Sequence, residues 1–443
     1  MVTHENLDLV FQVRALAGQW FKDMKDIRTL ILAAGKGTRM KSDVPKVLHN
    51  ICGKPIIRYV LDAVEVLGSQ KTYVVLGHKS ELIEDYLGEE YKILHQKQLL
   101  GTADAVKCAQ KFLKGYRGHL LVLCGDTPLL NKNSIRNLIK KHKKTNSSCT
   151  FLTAVLHNPS GYGRVIRDEG GKVVAIREEK DAVGLEKNIA EINAGVYCFR
   201  NKELFQGLNQ IKLNKRKKEF YLTDIIEHFT QNGLKVDTLE AEDAQECLGI
   251  NTRQDLAESE SIIRQRILKE FMLQGVTVLD PVTTYIDASA RIGKDTVIRP
   301  YSYIEQNVRI GTRCLVGPFA RLRPGTKVGN NVEIGNFTEV SRSKIGNHSI
   351  MKHFGFIGDA SVGAHVNIGA GTVTANYDGK QKNATSIANN AFIGSDSVLV
   401  APVKIGRHAT IGAGSVVTRG KNVPDGAIAY GVPARISKNG SHS

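Results

Sequence analysis

From Ile286 onward, an aliphatic residue recurs at every sixth position. Ile286, Ile292, Ile298, Ile304, Ile310, Val316, Leu322, Val328, Ile334 and Val340 keep this step without a slip. Two five-residue steps follow; the phase recovers through Met351, Ile357, Val362 and Ile368 and runs again from Ile387 to Val423. Helices repeat near 3.6 residues and strands near 2, so neither produces this pattern. A period of six sustained over such a length specifies a parallel β-helix of hexapeptide repeats. Each aliphatic residue points into a narrow prism and stacks on its counterpart one coil away, so the solenoid buries its own core. The small residues that follow, often glycine, are expected to permit the corners. Only Val373 to Ser386 breaks the rhythm at length. A loop projecting from a regular solenoid suits an active site or a partner.

Upstream the texture differs. From Ile27 to Asn251, apolar runs alternate with polar, helix-like stretches, the pattern of a mostly parallel sheet covered on both faces. The expected strands are 29–34, 71–76, 92–95, 119–123, 149–155, 173–176 and 195–200, and the expected helices 56–67, 79–86, 103–112 and 134–142. Ligands of such sheets bind beyond the carboxyl ends of the strands. There the first strand runs into Gly35, Gly37, Arg39 and Lys46, and a later one into Gly125-Asp126. Small residues let the backbone approach a ligand, successive N–H groups cradle anions, and two cations add charge for a polyphosphate. The loop is neither a Walker A sequence nor a full dinucleotide fingerprint. Residues 252–275 read as one helical arm, with Leu256, Ile263, Ile267 and Phe271 near helical spacing.

The net charge of +17 calls for an anionic partner, either nucleic acid or phosphorylated metabolites. No nucleic-acid motif accompanies the basic runs at Lys140–Lys144 and Lys212–Lys218, so these read as solvated surface. No apolar stretch reaches the length of a membrane span. Seven scattered cysteines without a CxxC pair point to a reducing, cytoplasmic setting. Residues 1–26 lack the pattern of a secretory signal. They are taken as an extension without assigned function, with Met24 as an alternative start.

LAAGKGTRM at 32–40, with Pro45-Lys46, matches the sugar-phosphate nucleotidylyltransferase signature. GYGR at 161–164, EINAG at 191–195 and GINTR at 249–253 accompany it. With a hexapeptide solenoid downstream, the chain resembles the bacterial bifunctional enzymes of UDP-N-acetylglucosamine synthesis. These join an N-acetylglucosamine-1-phosphate uridylyltransferase to a glucosamine-1-phosphate N-acetyltransferase. The resemblance implies a Rossmann-like α/β nucleotidylyltransferase domain over 27–251, the arm at 252–275, a left-handed parallel β-helix over 276–436 and a tail at 437–443. It implies UTP and N-acetylglucosamine-1-phosphate as substrates. Leu32, Ala33, Ala34 and Gly35 would lie along the nucleotide, with Gln96, Gly101 and Thr102 reading the uracil. Gly163, Glu178 and Asn193 would hold the sugar, Asp126 and Asn251 would hold Mg2+, and Arg39 and Lys46 would neutralise the triphosphate. Tyr221 to Asp224 matches a further segment, taken as structural. Taken singly, Asp126 reads equally as a helix cap and Asn193 as a turn residue; their joint order and spacing give them weight.

In the second half, FARLRPG at 319–325, NIGAG at 367–371, TANYDG at 374–379 and GSD at 394–396 resemble the acetyltransferase site of that family, formed between subunits of a homotrimer. His353 matches its general base, which an imidazole titrating near 6.5 can serve at neutral pH. Arg323, Asn367, Asn376 and Tyr377 match substrate positions, and Ser395 and Ala413 match positions near acetyl-CoA. The chain departs from the pattern at Ser341 and Phe356, where the family has a phosphate-binding lysine and a tyrosine, and it lacks the coenzyme-side arginine near its C-terminus. Arg342, Lys344 and Lys352 are the candidate replacements. Two readings therefore stay open for this half: an acetyltransferase, active or altered in its acceptor, or a non-catalytic trimerisation domain. A different sugar-phosphate nucleotidylyltransferase remains the alternative for the first half.

Overall fold

A computed structural model describes residues 24–214 and 218–437. Most of the N-terminal extension, the last residues of the tail and the middle of the Lys212–Lys218 run lie outside the described residues. The chain divides into two compact units, the first ending at Ser259 and the second beginning at Glu260 and including Cys52–Lys54.

The first unit is built on a nine-stranded mixed sheet. Its longer elements are β1 (Ile27–Ala33), α1 (Ile56–Val64), β2 (Thr72–Leu76), α2 (Ser80–Leu87), β3 (Lys92–His95), α3 (Thr102–Lys107), β4 (His119–Cys124), α4 (Lys132–Thr145), β5 (Cys149–Val155), β6 (Arg164–Arg167), β7 (Val173–Arg177), β8 (Glu191–Arg200), α5 (Asn201–Leu208), α6 (Asp224–Gln231) and β9 (Val236–Glu240); α7 (Arg253–Leu273) begins in this unit and ends in the second. The strand order is β9-β5-β8-β4-β1-β2-β3, with β6 pairing β8 and β7. Strands β4, β1, β2 and β3 are parallel. The sheet differs from the expected mostly parallel one because β8 runs antiparallel between β4 and β5. The β6–β7 hairpin reverses the chain before β8, so no crossover helix is needed there. Alternation along the strands covers both faces: Ile27, Ile31, Leu121 and Leu123 face one core, and Leu30, Leu120, Val122, Phe151 and Phe199 the other. Neighbours β2 and β4 lie on opposite sides of β1, so the crevice falls beyond its carboxyl end.

The second unit is a left-handed β-helix of three sheets, with ten, eight and seven strands, parallel except for the last strand, Ala434–Ile436. The aliphatic residues pair directly from coil to coil, Ile286 with Ile304, Leu322, Val340 and Ile357 in turn, and they form one continuous core. Gly317 and Gly371 take left-handed corners as expected, but the glycines of the Ile-Gly pairs act differently. A Cβ on Gly293 would lie 2.7 Å from the Gly311 carbonyl carbon, so the glycine permits close stacking of coils. The left-handed corners are held by residues such as Asp295, Tyr301, Phe319, Asn331 and Phe337. All seven cysteines are free thiols. Among the described residues, no helix is long and apolar enough to cross a membrane.

Candidate functional site

A cleft of about 600 Å³ opens beyond β1 and β4. It is lined by Leu32, Ala33, Ala34, Gly35, Arg39, Lys46, Gln96, Gly101, Thr102, Asp126, Glu178 and Asn251. Each wall is held by local structure. Arg39 sits in a 3-10 turn, Thr38–Met40, whose Met40 carbonyl accepts from Arg253 Nε at 3.2 Å. Asn251 precedes α7, where Asp255 Oδ2 accepts from the N–H groups of Asn251 and Thr252 at 2.8 and 2.9 Å. Asp255 N–H donates to Thr252 Oγ1 in return, a reciprocal cap that fixes the segment. One residue earlier, Ile250 N–H bonds to the Asp126 carbonyl at 2.9 Å, which brings Asp126 and Asn251 side by side.

The Lys46 ammonium lies against both of them. It pairs with Asp126 Oδ2 and stands 3.2 Å from Asn251 Oδ1, and Arg39 Nη2 donates to the same Asn251 oxygen at 2.9 Å. A carboxylate and an amide oxygen thus already converge on one cationic centre. Such hard oxygen donors suit a divalent cation that completes its shell with phosphate oxygens and water.

On the other side of the cleft, Gln96 is 6% exposed. Its Nε2 donates to the Gly101 carbonyl at 3.0 Å and to Asp104 Oδ2 at 2.8 Å. Both partners only accept, so the amide orientation is fixed and Oε1 is left as the free acceptor. Gly101 has φ +101°, and a Cβ there would lie 2.5 Å from the Phe220 carbonyl oxygen, so only glycine allows this packing. The same contact places Tyr221 in the cleft wall, where the sequence reading had made it structural. Burial pushes its phenol up to about 12. Burial also pushes the Glu178 carboxyl up, opposed by a 2.8 Å bond from Thr223 Oγ1.

Gly163 and Asn193 stand outside this lining. Asn193 N–H bonds to the Gly163 carbonyl at 2.9 Å, while its side chain donates to Tyr197 Oη at 2.6 Å and accepts from Gly195 N–H at 3.1 Å. Tyr162 Oη accepts from Gly249 N–H at 3.2 Å, which ties their loop to the Asn251 segment. Sequence reasoning missed Asp104 and Glu219; neither lies in a recognisable motif.

In the second unit, the expected residues occupy two edges of the prism. His353, Ser395 and Ala413 fall between strands of the ten-stranded and eight-stranded sheets, all three exposed, and Asn367 lies in the adjoining strand Asn367–Ile368. Arg323, Asn376 and Tyr377 follow strands of the eight-stranded sheet, on the next edge. On that edge Arg323 pairs with Glu339 at 2.9 Å. Arg342 grips Asp359 through two bonds of 2.6 and 2.8 Å and donates to Ser341 Oγ at 2.9 Å. Asn376 Nδ2 also donates to Asp359, at 2.5 Å.

A mixed β-sheet with this cation-and-oxygen cleft at the ends of its parallel strands, followed by a hexapeptide β-helix, defines a nucleotidyltransferase carrying a hexapeptide-repeat transferase domain. The nucleotidyl transferase family matches residues 28–250, and the bacterial transferase hexapeptide family matches 289–324 and 384–419. The chain is 42% identical over 442 residues to the bifunctional protein GlmU of Geobacillus sp. (strain WCH70), spanning 92% of this chain and 96% of that protein. It is 42% identical over 444 residues to the bifunctional protein GlmU of Streptococcus thermophilus (strain CNRZ 1066), spanning 93% and 96%, and 40% identical over 452 residues to that of Caldanaerobacter subterraneus, spanning 94% and 98%. The chain belongs to the GlmU family of bifunctional proteins.

Proposed function

We propose that the first unit transfers a uridylyl group from UTP to N-acetylglucosamine-1-phosphate, giving UDP-N-acetylglucosamine and pyrophosphate. The observation that carries this reading is the convergence of Arg39, Lys46, Asp126 and Asn251 opposite an amide oxygen held for a base. A sugar-phosphate oxygen attacks the α-phosphorus of UTP in line, and the bond to the bridging oxygen breaks as pyrophosphate leaves with the electron pair. The chain's part is positioning and neutralisation. Lys46 and Arg39 meet the charge on the triphosphate and leaving group, and the small residues Ala33 to Gly35 let the nucleotide lie close to the backbone. Gln96 Oε1 accepts from the ring N–H of uracil, a donor that cytosine lacks at that position. Gly163, Glu178 and Asn193 hold the sugar. Asp126 and Asn251 would hold Mg2+, which when bound neutralises phosphate charge at the reacting centre. Loss of an electrostatic contact made in the transition state costs about 2.7–4 kcal/mol. Asp126→Ala and Lys46→Ala should therefore each lower turnover by two to three orders of magnitude, roughly, in a coupled pyrophosphate-release assay. Near-normal UDP-N-acetylglucosamine formation by purified Asp126→Ala would sink the assignment.

The second unit we read as a homotrimeric acetyltransferase acting on glucosamine-1-phosphate. His353 takes the proton from the sugar amine as nitrogen bonds to the acetyl carbonyl carbon and the thiolate of coenzyme A departs. Two observations support the trimer. The expected residues are divided between two edges of one chain, an arrangement that neighbouring copies can complete. The edge carrying His353 also bears an exposed aromatic ladder: Tyr301 stacks on Phe319 and Phe319 on Phe337, each at 4.7 Å, and Phe354 is exposed beyond them. The competing reading, a trimerisation domain without catalysis, is favoured by one observation. Arg323, Arg342 and Lys352 are each paired with a carboxylate, Glu339, Asp359 and Glu333 respectively, so these cations are already engaged where an acceptor phosphate would need them. Purified protein with acetyl-CoA and glucosamine-1-phosphate decides between the two: N-acetylglucosamine-1-phosphate forms under the first reading and does not under the second.

A further inference from the structure

A second cavity in the first unit, about 1200 Å³, lies on the other side of α3 from the cleft. Its walls are β3, α3, residues 108–117 and the start of α5. They carry Lys97, Lys107, Lys111, Lys114, Arg117 and Lys202 against a single carboxylate, Asp104. Among the described residues, none of the six cations makes an ion pair with a carboxylate, and Asp104 is engaged by Gln96. Lys107 and Lys111 lie instead over the rings of Phe220 and Phe112, at 5.3 and 4.7 Å. Like charges gathered around one cavity repel, and an anion that enters it relieves the repulsion. This concentration accounts for part of the net charge that the Lys140–Lys144 and Lys212–Lys218 runs do not explain.

A buried acceptor beneath the cavity floor is unsatisfied as well. Asn201 is 3% exposed, and its Nδ2 donates to the Leu113 and Tyr116 carbonyls at 3.1 and 2.8 Å. Those bonds fix the amide, and its Oδ1 has no partner. The Tyr116 hydroxyl, also buried, turns instead toward the backbone of Gly118 and Asp26, which lie outside the cavity lining. An orphaned buried acceptor is costly unless a ligand or water meets it. Phe112, half exposed at the mouth, offers a face on which a base can stack.

Clustered cations, a buried acceptor and an exposed ring together match a nucleoside polyphosphate. We propose that this cavity is a second, non-catalytic nucleotide site, with the phosphates on the lysines and the nucleoside against Phe112, above Asn201. Helix α3 is its shared wall with the cleft, and Asp104, in that wall, holds Gln96. Occupancy is therefore transmitted to UTP binding.

The probe is ATP, measured by equilibrium dialysis on the full-length protein. Adenine lacks the ring N–H that Gln96 accepts under the uridylyltransferase reading, and a Lys46→Ala control makes the result independent of that reading. We expect one ATP per chain in both the wild type and Lys46→Ala. In Lys111→Ala/Lys114→Ala/Arg117→Ala, each lost charged contact weakens binding about tenfold, less where solvent screens it, so affinity should fall at least about 30-fold. ATP should also change the KM for UTP in the wild type but not in the triple variant, whose turnover without ATP should match the wild type. ATP binding that survives the triple substitution, or that disappears in Lys46→Ala, would place ATP in the cleft and overturn the site. Inorganic tripolyphosphate binding as tightly as ATP would overturn the nucleoside part. An unchanged KM for UTP with ATP bound would overturn the coupling.

Discussion

Under the uridylyltransferase reading, base selection in this cleft should depend on a residue that need not touch the nucleotide. Gln96 presents Oε1 because its Nε2 is held by two acceptors, the Gly101 carbonyl and Asp104. A charge-assisted bond such as that to Asp104 is worth about 1.5–3 kcal/mol, and the half-buried carboxylate belongs at the lower end; a neutral bond such as that to Gly101 is worth about 1 kcal/mol. Together they bias the amide against the flipped orientation by about 2.5 kcal/mol, and that orientation is the one cytosine requires. Asp104→Ala leaves only the Gly101 bond, so the cost of flipping drops by about 1.5 kcal/mol, or about tenfold in population. The ratio of kcat/KM for UTP over CTP should fall by about that factor, mostly through improved use of CTP. Asp104→Asn, whose amide oxygen can still accept from Gln96, should restore most of the ratio. The assay is initial-rate kinetics with each nucleotide, at fixed N-acetylglucosamine-1-phosphate, on variants whose thermal unfolding matches the wild type. A ratio within twofold of wild type in Asp104→Ala would refute the claim that this carboxylate sets the reading of the base.

Three further outcomes are expected. His142 is buried, and burial first, then the charges of His119, Arg200 and Lys143, push its imidazole down to about 3. The unfolded chain takes up that proton near pH 6.5 and the folded one does not, so stability falls as pH drops below 6.5. Between pH 7 and 5 the loss should be about 2 kcal/mol, read as a lower urea midpoint of the first unit and reduced in His142→Gln; equal pH dependence in the two would contradict the linkage. His353→Ala should abolish acetyl transfer and leave uridylyl transfer intact, whereas persistent acetylation would remove His353 from the reaction. Phe337→Glu places a charge in the aromatic ladder and should convert a trimer to monomers by light scattering, with acetyl transfer lost alongside; an unaltered mass would exclude the ladder from the interface.

The solenoid was the most legible part of the chain because its core, its coil spacing and its sequence period are one quantity. In the first unit, the buried parallel strands announced themselves as apolar runs. β6 did not, since its Arg164 is 2% exposed yet charged, paired with Glu179 at 2.8 Å. β9 was also hidden, as a half-exposed edge strand, VDTLE, without an apolar face. Helices α5 and α6, eight residues each, were not expected from the sequence either. Expected helix 103–112 stops at Lys107 because the following N–H groups, at Ala109 and Gln110, bond three residues back instead of four. The glycine-rich loop, Gln96 and Asp126 could be placed from motif order. That Lys46 bridges Asp126 and Asn251 could not, because the partners are 80 and 205 residues away and meet only through the Ile250–Asp126 backbone bond.

The period that makes the solenoid legible also constrains its chemistry. Residues one coil apart return to the same edge, which is why Ser395 and Ala413 share an edge and why Tyr301, Phe319 and Phe337 form a ladder on it. The five-residue step between Val340 and Ile345 shortens one coil, so the same edge is reached at Phe354, with His353 beside it. Arg323 and Asn376 lie one strand further along their coils and therefore on the next edge. Within one chain the eight-stranded sheet separates the residues we assign to the general base and coenzyme, with Asn367 beside them, from Arg323, Asn376 and Tyr377. Our acetyltransferase reading is thus inseparable from the trimer. A variant held monomeric should lose that activity while keeping every residue named for it, and a catalytically competent monomer would defeat both proposals together.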